Sequence, residues 1–472
     1  MDCIILGKLM RYKGIKFLIF IVVIMIIMMV ILFIEKNIKF DTKNILIESS
    51  ECDIYEKDKI KNNYKANIFL DEKNKCYTIE LIIDIINDST DEWNKIYFRD
   101  YPSAFYNLEN GNISEISEIK DFNKKEELRF YREEDKTIFY IQLKELLKPN
   151  TTITISMKYK AYIPNLDARY GYQKIGENKT DFYLGNCIPI LCPYENGKFQ
   201  YYPYFSVGEC FYSKMANYDV SIIVPEEYSV IATGDKKDIQ YNNNKTITYE
   251  YKANIVRDFS LMIGNSYKEY SGSIDGITIN SYFHNGHEKE GKEALKIAKE
   301  IIHELNDRLG KYPYNNFNVV EVQMEMKGME YPQMALVTNG EFGVNYLAHE
   351  IMHQWFYSLV GNNSYKEPWI DESLATYLAN PELKEYSGII TKAYNEYKSD
   401  SDYTYFVYFC GASMYSRLEE KYGREKIDTF MRELLEKYSY REVNTKQVTE
   451  LLKKYYGEDN PILKEYIEEK YF

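Results

Sequence analysis

The spacing of apolar residues changes near residue 286, and this change constrains the fold more than any other feature of the sequence. From about residue 45 to 265, apolar and polar residues alternate, and turn residues such as "YNNNK" separate the alternating runs. In "TITISMKYKAYIP" one face of an extended strand carries Ile153, Ile155, Met157, Tyr159 and Ala161. Because side chains alternate across a strand with a period of two, the sequence predicts an antiparallel β-sandwich over residues 45–268.

Beyond residue 286 the apolar residues recur at helical spacing. The first such run ends at Gly310 and contains Leu295, Ala298, Ile302, Leu305 and Leu309. Later runs contain Ile427, Phe430, Met431, Leu434 and Leu435, then Val448, Leu451 and Leu452. A chain of 472 residues is too long for one ordinary core. We therefore expect an α+β multidomain protein, with a mainly helical second domain over residues 269–472 and, since no Pro/Gly/Ser linker intervenes, an interface between the two halves.

An apolar run near the N-terminus predicts a membrane anchor. Residues 17–34, "FLIFIVVIMIIMMVILFI", carry no charge and would span about 27 Å as a helix. Lys8, Arg11, Lys13 and Lys16 precede the run, so the positive-inside rule places residues 1–16 in the cytoplasm. A cleaved signal peptide is the alternative, but its apolar core is usually only ~7–15 residues long and ends at small residues, which "EKNIKF" lacks. We expect a single-pass protein of the cell membrane whose residues from about 40 onward are extracellular.

Charge and cysteine content exclude two further classes. The net charge of -13 and the pI near 5.2 argue against nucleic acid as a partner, because phosphate binding relies on clustered lysine and arginine. Seven cysteines are too few for a disulfide scaffold of this size. Cys187 and Cys192 could close a loop outside the cytoplasm, and burial of each as a small apolar residue is the alternative.

Three residues in "LAHEIMHQWF" indicate metal chemistry. His349 and His353 lie four residues apart, so on a helix they can present imidazole nitrogens to one ion. Glu350, beside the first histidine, can reach a water at that ion. Glu372, in "KEPWIDESLATY" at the start of another helical pattern, is the candidate third ligand. The pattern predicts one Zn²⁺ per chain, bound by His349, His353 and Glu372 with a fourth position left for water.

A chance match is the alternative, because both histidines could be core residues with satisfied hydrogen bonds. The remaining histidines carry less information. His284 and His287, in "FHNGH", show no cysteine or carboxylate partners in sequence, and we expect them to be solvated loop residues. His303 lies in a helical run without a second histidine.

Three motifs in order resemble the aminopeptidase N family of gluzincin zinc peptidases. "HEIMHQWF" is followed, after 18 residues between His353 and Glu372, by the glutamate within "WIDES". "KGMEYPQM", residues 327–334, resembles that family's G-A-M-E-N exopeptidase motif, and "YFCGAS", residues 408–413, resembles its tyrosine-x-x-glycine segment. The resemblance implies a saddle-like β-sandwich followed by a thermolysin-like, mainly α catalytic domain with a small sheet.

The resemblance also implies roles for individual residues. Glu350 would be the general base, and Tyr408 would donate a hydrogen bond to the oxyanion. Glu330 would bind the α-amino group of the substrate, with Met329 and Gly328 completing the substrate-binding motif. These roles fit the chemistry of a Lewis-acidic ion beside a carboxylate.

Departures from the family pattern are confined to a few places. Lys327 replaces the first glycine and Tyr331 the last asparagine of G-A-M-E-N, which weakens the case for amine recognition. With the chain ending at Phe472, we expect a short, membrane-anchored member without the helical C-terminal domain of many relatives.

The function expected from the sequence is zinc-dependent removal of N-terminal residues from peptides outside the cytoplasm. A zinc endopeptidase is one alternative, should Glu330 not bind the amine. A non-catalytic cell-surface binding or accessory protein with a vestigial zinc site is another, although such a site needs neither Glu350 nor Tyr408. The sequence indicates neither the side-chain preference nor the oligomeric state.

Overall fold

The computed structural model describes residues 62–105, 114–205, 208, 210–338 and 344–472, without the side chains of residues 344 and 345. The predicted cytoplasmic segment 1–16 and the predicted anchor 17–34 lie outside the described residues. Among the helices that are described, none is both long and apolar enough to cross a membrane. The described residues belong to one compact unit.

The first half of this unit is built from strands. Numbered along the chain, they are β1 (Asn63–Asp71), β2 (Cys76–Ile86), β3 (Trp93–Arg99), β4 (Glu115–Asp121), β5 (Glu126–Glu127), β6 (Arg129–Arg132), β7 (Ile138–Leu147), β8 (Thr152–Tyr162), β9 (Tyr170–Gly176), β10 (Lys179–Leu184), β11 (Ile190–Leu191), β12 (Tyr194–Glu195), β13 (Lys198–Phe199), β14 (Ala216–Pro225), β15 (Ser229–Ala232), β16 (Asp235–Tyr241), β17 (Thr246–Val256) and β18 (Leu261–Gly264). A 3-10 turn spans Tyr101–Phe105.

These strands form a large sheet that faces smaller ones. The large sheet runs in the order β16-β17-β14-β1-β2-β8-β4-β5, and the smaller sheets run β15-β18-β10-β9 and β11-β3-β7-β6. Pairing in the large sheet is antiparallel except between β1 and β14. Inward residues of the large and small sheets share one apolar core, as a sandwich requires. On β8 the predicted alternation is present, since Ile155, Met157, Tyr159 and Ala161 are buried.

The second half joins a sheet to a set of helices. Its sheet has the order β19-β20-β21-β23-β22, from β19 (Lys268–Ile274), β20 (Ile277–Phe283), β21 (Asn316–Val322), β22 (Gly328–Tyr331) and β23 (Met334–Thr338). Strands β20, β21 and β23 are parallel, whereas β22 is an antiparallel strand at the edge. A short parallel pair joins β24 (Val360–Gly361) to β25 (Arg441–Glu442).

The helices bury the apolar faces expected from their spacing. They are α1 (Glu288–Leu309), α2 (Val344–Met352), α3 (Trp369–Ala379), α4 (Asp400–Tyr403), a π-helix over Thr404–Cys410, α5 (Gly411–Tyr422), α6 (Arg424–Tyr438), α7 (Thr445–Tyr456) and α8 (Pro461–Tyr466), with 3-10 turns at Tyr394–Glu396 and Glu469–Tyr471. The predicted positions on α1, α6 and α7 are buried except Leu295, which packs at the edge of the core. Helix α1 ends at Leu309, and the next residue, Gly310, has a φ of 118°, which favours glycine. The predicted α+β fold is confirmed for the described residues.

One buried arginine joins the two halves. The Arg257 guanidinium donates to the carbonyl of Tyr357 at 2.5 Å and to that of Arg441 at 2.6 Å. It also pairs with the Glu442 carboxylate at 2.6 Å. The predicted interface between the halves is therefore present.

The described cysteines form no disulfide. Cys76, Cys187, Cys192, Cys210 and Cys410 are all free and buried. A bridge between Cys187 and Cys192 is thus absent from the structure, and each packs as a small apolar residue.

Candidate metal centre

The two histidines of the sequence motif point at one another from the end of α2. The amide of His353 bonds the carbonyl of His349 at 3.4 Å, so the helical turn continues one residue past Met352. The Nε2 atoms of the two histidines lie 3.0 Å apart. Burial of Leu347 and Ile351 holds this helix against the core, so the histidines occupy a fixed place.

Helix α3 brings Glu372 to the same point. Its Oε2 atom lies 3.1 Å from His349 Nε2 and 3.4 Å from His353 Nε2. Around a tetrahedral zinc with bonds of about 2.0–2.1 Å, neighbouring ligand atoms are about 3.3 Å apart. The three donors therefore match the size and the chemistry of a divalent zinc-type ion.

Neighbouring groups orient these donors. His353 Nδ1 lies 2.9 Å from the carbonyl of Phe356, which can only accept, so Nδ1 carries the proton and Nε2 is free to bind a metal. The corresponding nitrogen of the other histidine, His349 Nδ1, lies 3.5 Å from Thr376 Oγ1, which is a longer contact. The buried Asp371 accepts the backbone N–H of Glu372 and the side-chain amide of Asn362. Burial raises the pKa of Asp371 to about 7.

Glu350 packs against Gly328, and any larger residue at position 328 would displace the Glu350 side chain. The side chain of Glu350 is buried, and a Cβ atom at Gly328 would collide with its carboxylate. Burial raises the pKa of Glu350, and the nearby Glu372 adds to that rise while the two histidines oppose it. The glycine of β22 therefore places a carboxylate of raised basicity beside the metal donors.

Glu330 offers a buried acceptor without a partner. It lies on the edge strand β22 and is 1% exposed, and no described residue hydrogen-bonds to its Oε1 atom. Burial raises the pKa of its carboxyl well above the usual range, although His353 opposes the rise. Met329, the next predicted binding residue, has its side chain in an apolar core, with Sδ 3.8 Å from the Arg169 guanidinium. The structure thus brings Gly328 and Glu330 towards the metal donors and turns the side chain of Met329 away.

Tyr408 reaches the centre from the π-helix. Its hydroxyl donates to Glu372 Oε1 at 2.6 Å, and its ring lies 5.8 Å from the His349 ring. Gly411, three residues later, lets α5 approach α3 so closely that a Cβ atom there would collide with the Ser373 side chain. The π-helical turn directs Tyr408 at the donors, which is a common use of such turns.

The prediction for His284 and His287 is wrong. His284 is buried, with Nε2 2.6 Å from Asp181 Oδ2, and His287 Nδ1 lies 2.6 Å from Glu321 Oε1. Glu321 comes from β21, beside the end of β20, so the carboxylate partners become visible only once the strand order is known. His303 is half exposed and pairs with Asp275 at the surface, at 2.9 Å.

Comparison with known proteins finds similarity to peptidases in sequence and in fold. No protein-family model matches the chain. It is 24% identical over 186 residues to "Probable aminopeptidase 2" of Sulfurisphaera tokodaii, covering 36% of this chain and 24% of that one. It is 22% identical over 287 residues to "Aminopeptidase M1-B" of Oryza sativa subsp. japonica, covering 52% and 33%. The chain thus spans about a quarter to a third of the length of these curated relatives.

A solved structure matches over much more of the chain. The M1 zinc metallopeptidase from Deinococcus radiodurans superposes with a TM-score of 0.63 at 16% identity, covering 84% of this chain and 91% of that one. A mutant of the same enzyme bound to the substrate Tyr-Ser-Ala gives the same TM-score, at 15% identity. The chain therefore shares the fold of this M1 zinc metallopeptidase, and its sequence motifs resemble those of the aminopeptidase N family. Its metal donors, Glu350 and Tyr408 stand at the positions that the family motifs assign to them in sequence.

Proposed function

We propose that this chain is a zinc-dependent aminopeptidase that removes N-terminal residues from peptides. One observation carries the proposal: His349, His353 and Glu372 place three donor atoms within 3.0–3.4 Å of one another, as a zinc site requires. Glu350 adjoins these donors, and Glu330 adds a buried acceptor. Sequence similarity to curated aminopeptidases and the fold shared with an M1 zinc metallopeptidase support the same proposal.

Each side chain at the centre has a task in peptide hydrolysis. Zinc, when bound by His349, His353 and Glu372, supplies the Lewis acidity that polarises the scissile carbonyl and acidifies a water. Glu350 takes a proton from the attacking water while the water oxygen bonds to the carbonyl carbon. Glu350 then passes that proton to the leaving nitrogen as the C–N bond breaks. Tyr408 donates a hydrogen bond to the carbonyl oxygen as negative charge develops on it.

Charge balance supports recognition of a free amine. Glu330, Glu350 and Glu372 bring three carboxylates into one buried region, and each of the other two raises the pKa of Glu330. A divalent ion and one α-ammonium group together carry the three positive charges that would neutralise them. The unpaired Oε1 of Glu330 is the natural acceptor for the ammonium, since a buried acceptor without a partner is costly.

The edge strand offers a means of holding the peptide. Among the described strands, β22 pairs on one side only, where it meets β23. An extended substrate can add to the other side through main-chain hydrogen bonds, as peptides do at exposed sheet edges. In this arrangement the backbones of Met329 and Gly328 hydrogen-bond to the substrate. Glu330 binds the substrate's N-terminus and so limits how far the peptide enters the site.

The proposal extends to the finer architecture and to the location. We propose that the strand-rich half acts as the saddle-like domain and the helical half as the thermolysin-like catalytic domain. We propose that the run at 17–34 anchors the chain in the cell membrane with the catalytic half outside, and the basic residues that precede the run support this orientation.

A pair of substrates tests the proposal. A fluorogenic dipeptide with a free α-amino group and its N-acetylated twin should differ by at least a hundredfold in kcat/KM. Replacing Glu330 with Gln should reduce that ratio by weakening only the reaction of the free amine. Equal turnover of both substrates would assign the chain as an endopeptidase, and no turnover by a zinc-loaded chain would favour the non-catalytic surface protein.

A further inference from the structure

A second cluster of histidines and carboxylates lies where the two halves meet. His284 directly follows β20, and Glu321 is on the neighbouring strand β21. Asp181 comes from β10 in the strand-rich half. His287 is at the start of α1, where its imidazole takes no part in capping the helix. Residues from both halves therefore converge on one point.

The ring nitrogens and carboxylate oxygens are disposed as a metal site would need. Glu321 Oε2 lies 3.4 Å from His284 Nδ1, and Glu321 Oε1 lies 2.6 Å from His287 Nδ1. One donor atom from each of these three residues falls within 4.8 Å of the others. The 3.4 Å separation already suits an ion, whereas the 2.6 Å contact would open by several tenths of an ångström on binding, towards the spacing of about 3.3 Å around zinc.

Groups around the cluster hold its members in place. Asp181 Oδ2 lies 2.6 Å from His284 Nε2, so a proton on Nε2 leaves Nδ1 facing Glu321. A carboxylate that orients a metal-binding histidine in this way is common. The Tyr267 ring stacks 4.8 Å from the His284 ring, and its hydroxyl donates to the Glu321 carbonyl at 2.9 Å.

Burial and charge favour a cation here. The side chains of Asp181 and Glu321 are fully buried. In the described part of the chain, neither carboxylate pairs with lysine or arginine. Burial lowers the pKa of His284, but Asp181 and Glu321 together raise it to about 9, so without an ion a proton on His284 balances one of the two buried negative charges. When the imidazoles are neutral, as metal binding requires, a divalent ion would balance both. His287 is 32% exposed, which leaves a way for an ion to enter and for water to complete its coordination.

We propose that His284, His287 and Glu321 bind a second divalent ion of the zinc type, with Asp181 orienting His284. This ion is structural, because Asp181 is engaged with His284, the Tyr267 hydroxyl is engaged with the Glu321 carbonyl, and neither Glu350 nor Tyr408 lies in the cluster. It fastens the end of the second-half sheet to β10 of the first half. The proposal does not depend on the function proposed above.

Metal content of the purified full chain tests the proposal. After zinc loading and dialysis, plasma mass spectrometry should find two equivalents in the wild type. His287→Ala and His353→Ala should each retain one, and the double variant should retain none. His303→Ala, which removes a surface histidine of α1, is the matched control and should retain two. His287→Ala should keep peptide hydrolysis within about twofold of the wild type.

The outcomes separate the two sites. One equivalent in the wild type, lost in His353→Ala and kept in His287→Ala, would overturn the proposal and leave the cluster as hydrogen-bonded ion pairs. If the wild type binds one equivalent and only His287→Ala loses it, the second metal site is supported, and the proposed catalytic centre binds no zinc.

A thermal measurement covers the case in which His287→Ala folds poorly. In His353→Ala, adding Zn²⁺ should raise Tm, because an ion that binds only the folded state stabilises it. The same addition to the double variant should leave Tm unchanged. The absence of any rise in His353→Ala would overturn the proposal.

Discussion

The hydroxyl of Tyr408 donates a 2.6 Å hydrogen bond to Oε1 of Glu372, the carboxylate whose other oxygen faces the two motif histidines. One tyrosine therefore orients a metal donor, and we propose that the same hydroxyl stands beside the reacting carbonyl. In the proposed reaction the hydroxyl turns from the carboxylate to the developing oxyanion.

Replacing Tyr408 with Phe should therefore lower kcat by about 10²–10³, since loss of one oxyanion donor typically costs that much. KM should change little, and zinc affinity should fall by about tenfold because Glu372 loses its orienting partner. Steady-state kinetics and a competition titration with a chelator would measure both. Tyr405→Phe, on an exposed ring of the same π-helix, is the control and should match the wild type.

Replacing Glu350 with Gln should separate metal binding from catalysis. Glu350 is not among the donor atoms that converge on the ion, so zinc content should stay at the wild-type level. The rate should fall by about 10²–10⁴, the usual contribution of a general base. His353→Ala should instead lose the ion along with the activity. Full activity in Glu350→Gln would refute the assignment of the base.

Gly328→Ala tests the packing behind Glu350. The added Cβ atom would collide with the Glu350 carboxylate, so the base must move while the metal donors stay. We expect kcat to fall by at least tenfold with zinc content unchanged, because displacement of a catalytic group by about 1 Å can cost a hundredfold. Gly176→Ala, where the new Cβ meets only ordinary contacts, should leave kcat unchanged.

Arg257→Ala tests how the two halves are held together. The substitution leaves the Glu442 carboxylate and the Tyr357 and Arg441 carbonyls without their shared donor. Removing one partner of a buried pair costs about 3–5 kcal/mol, so Tm should drop by several degrees. Lys464→Ala, which breaks an exposed pair with Asp459, should change Tm little. An equal effect of the two substitutions would contradict the role of the buried arginine.

Local spacing was enough to predict much of the site from sequence. His349 and His353 share a helix, so their convergence follows from a four-residue repeat. Glu372 required only a loop and a second helix of suitable length. The alternation in β8 and the apolar spacing of α1 likewise predict their buried faces, because burial follows the period of the element.

Long-range pairing explains what the sequence did not show. His284 and Glu321 meet because β20 and β21 are parallel neighbours, and Asp181 joins them across the interface of the two halves. Nothing near "FHNGH" indicates either carboxylate. The burial of the Met329 side chain in an apolar core could not be predicted for the same reason, since its direction depends on the register of β22 against β23.

Glu433 links stability to pH through an ion-pair cluster on α6 and α7. Lys437, Lys454 and the Tyr455 hydroxyl all bond this carboxylate, and they lower its pKa from 4.5 to about 2, with the Lys437 bond as the largest cause. Because the folded state holds the proton less tightly than the unfolded chain, the cluster stabilises the fold fully above pH 4.5, and that stabilisation is lost as pH falls towards 2. The cluster lies at the surface, so its contribution should be about 1 kcal/mol. Glu433→Gln should accordingly lower the free energy of unfolding at pH 7 and lower it much less at pH 2.5, as measured by urea titration at both pH values. An equal loss at the two pH values would show that the side chain acts through packing and not through its charge.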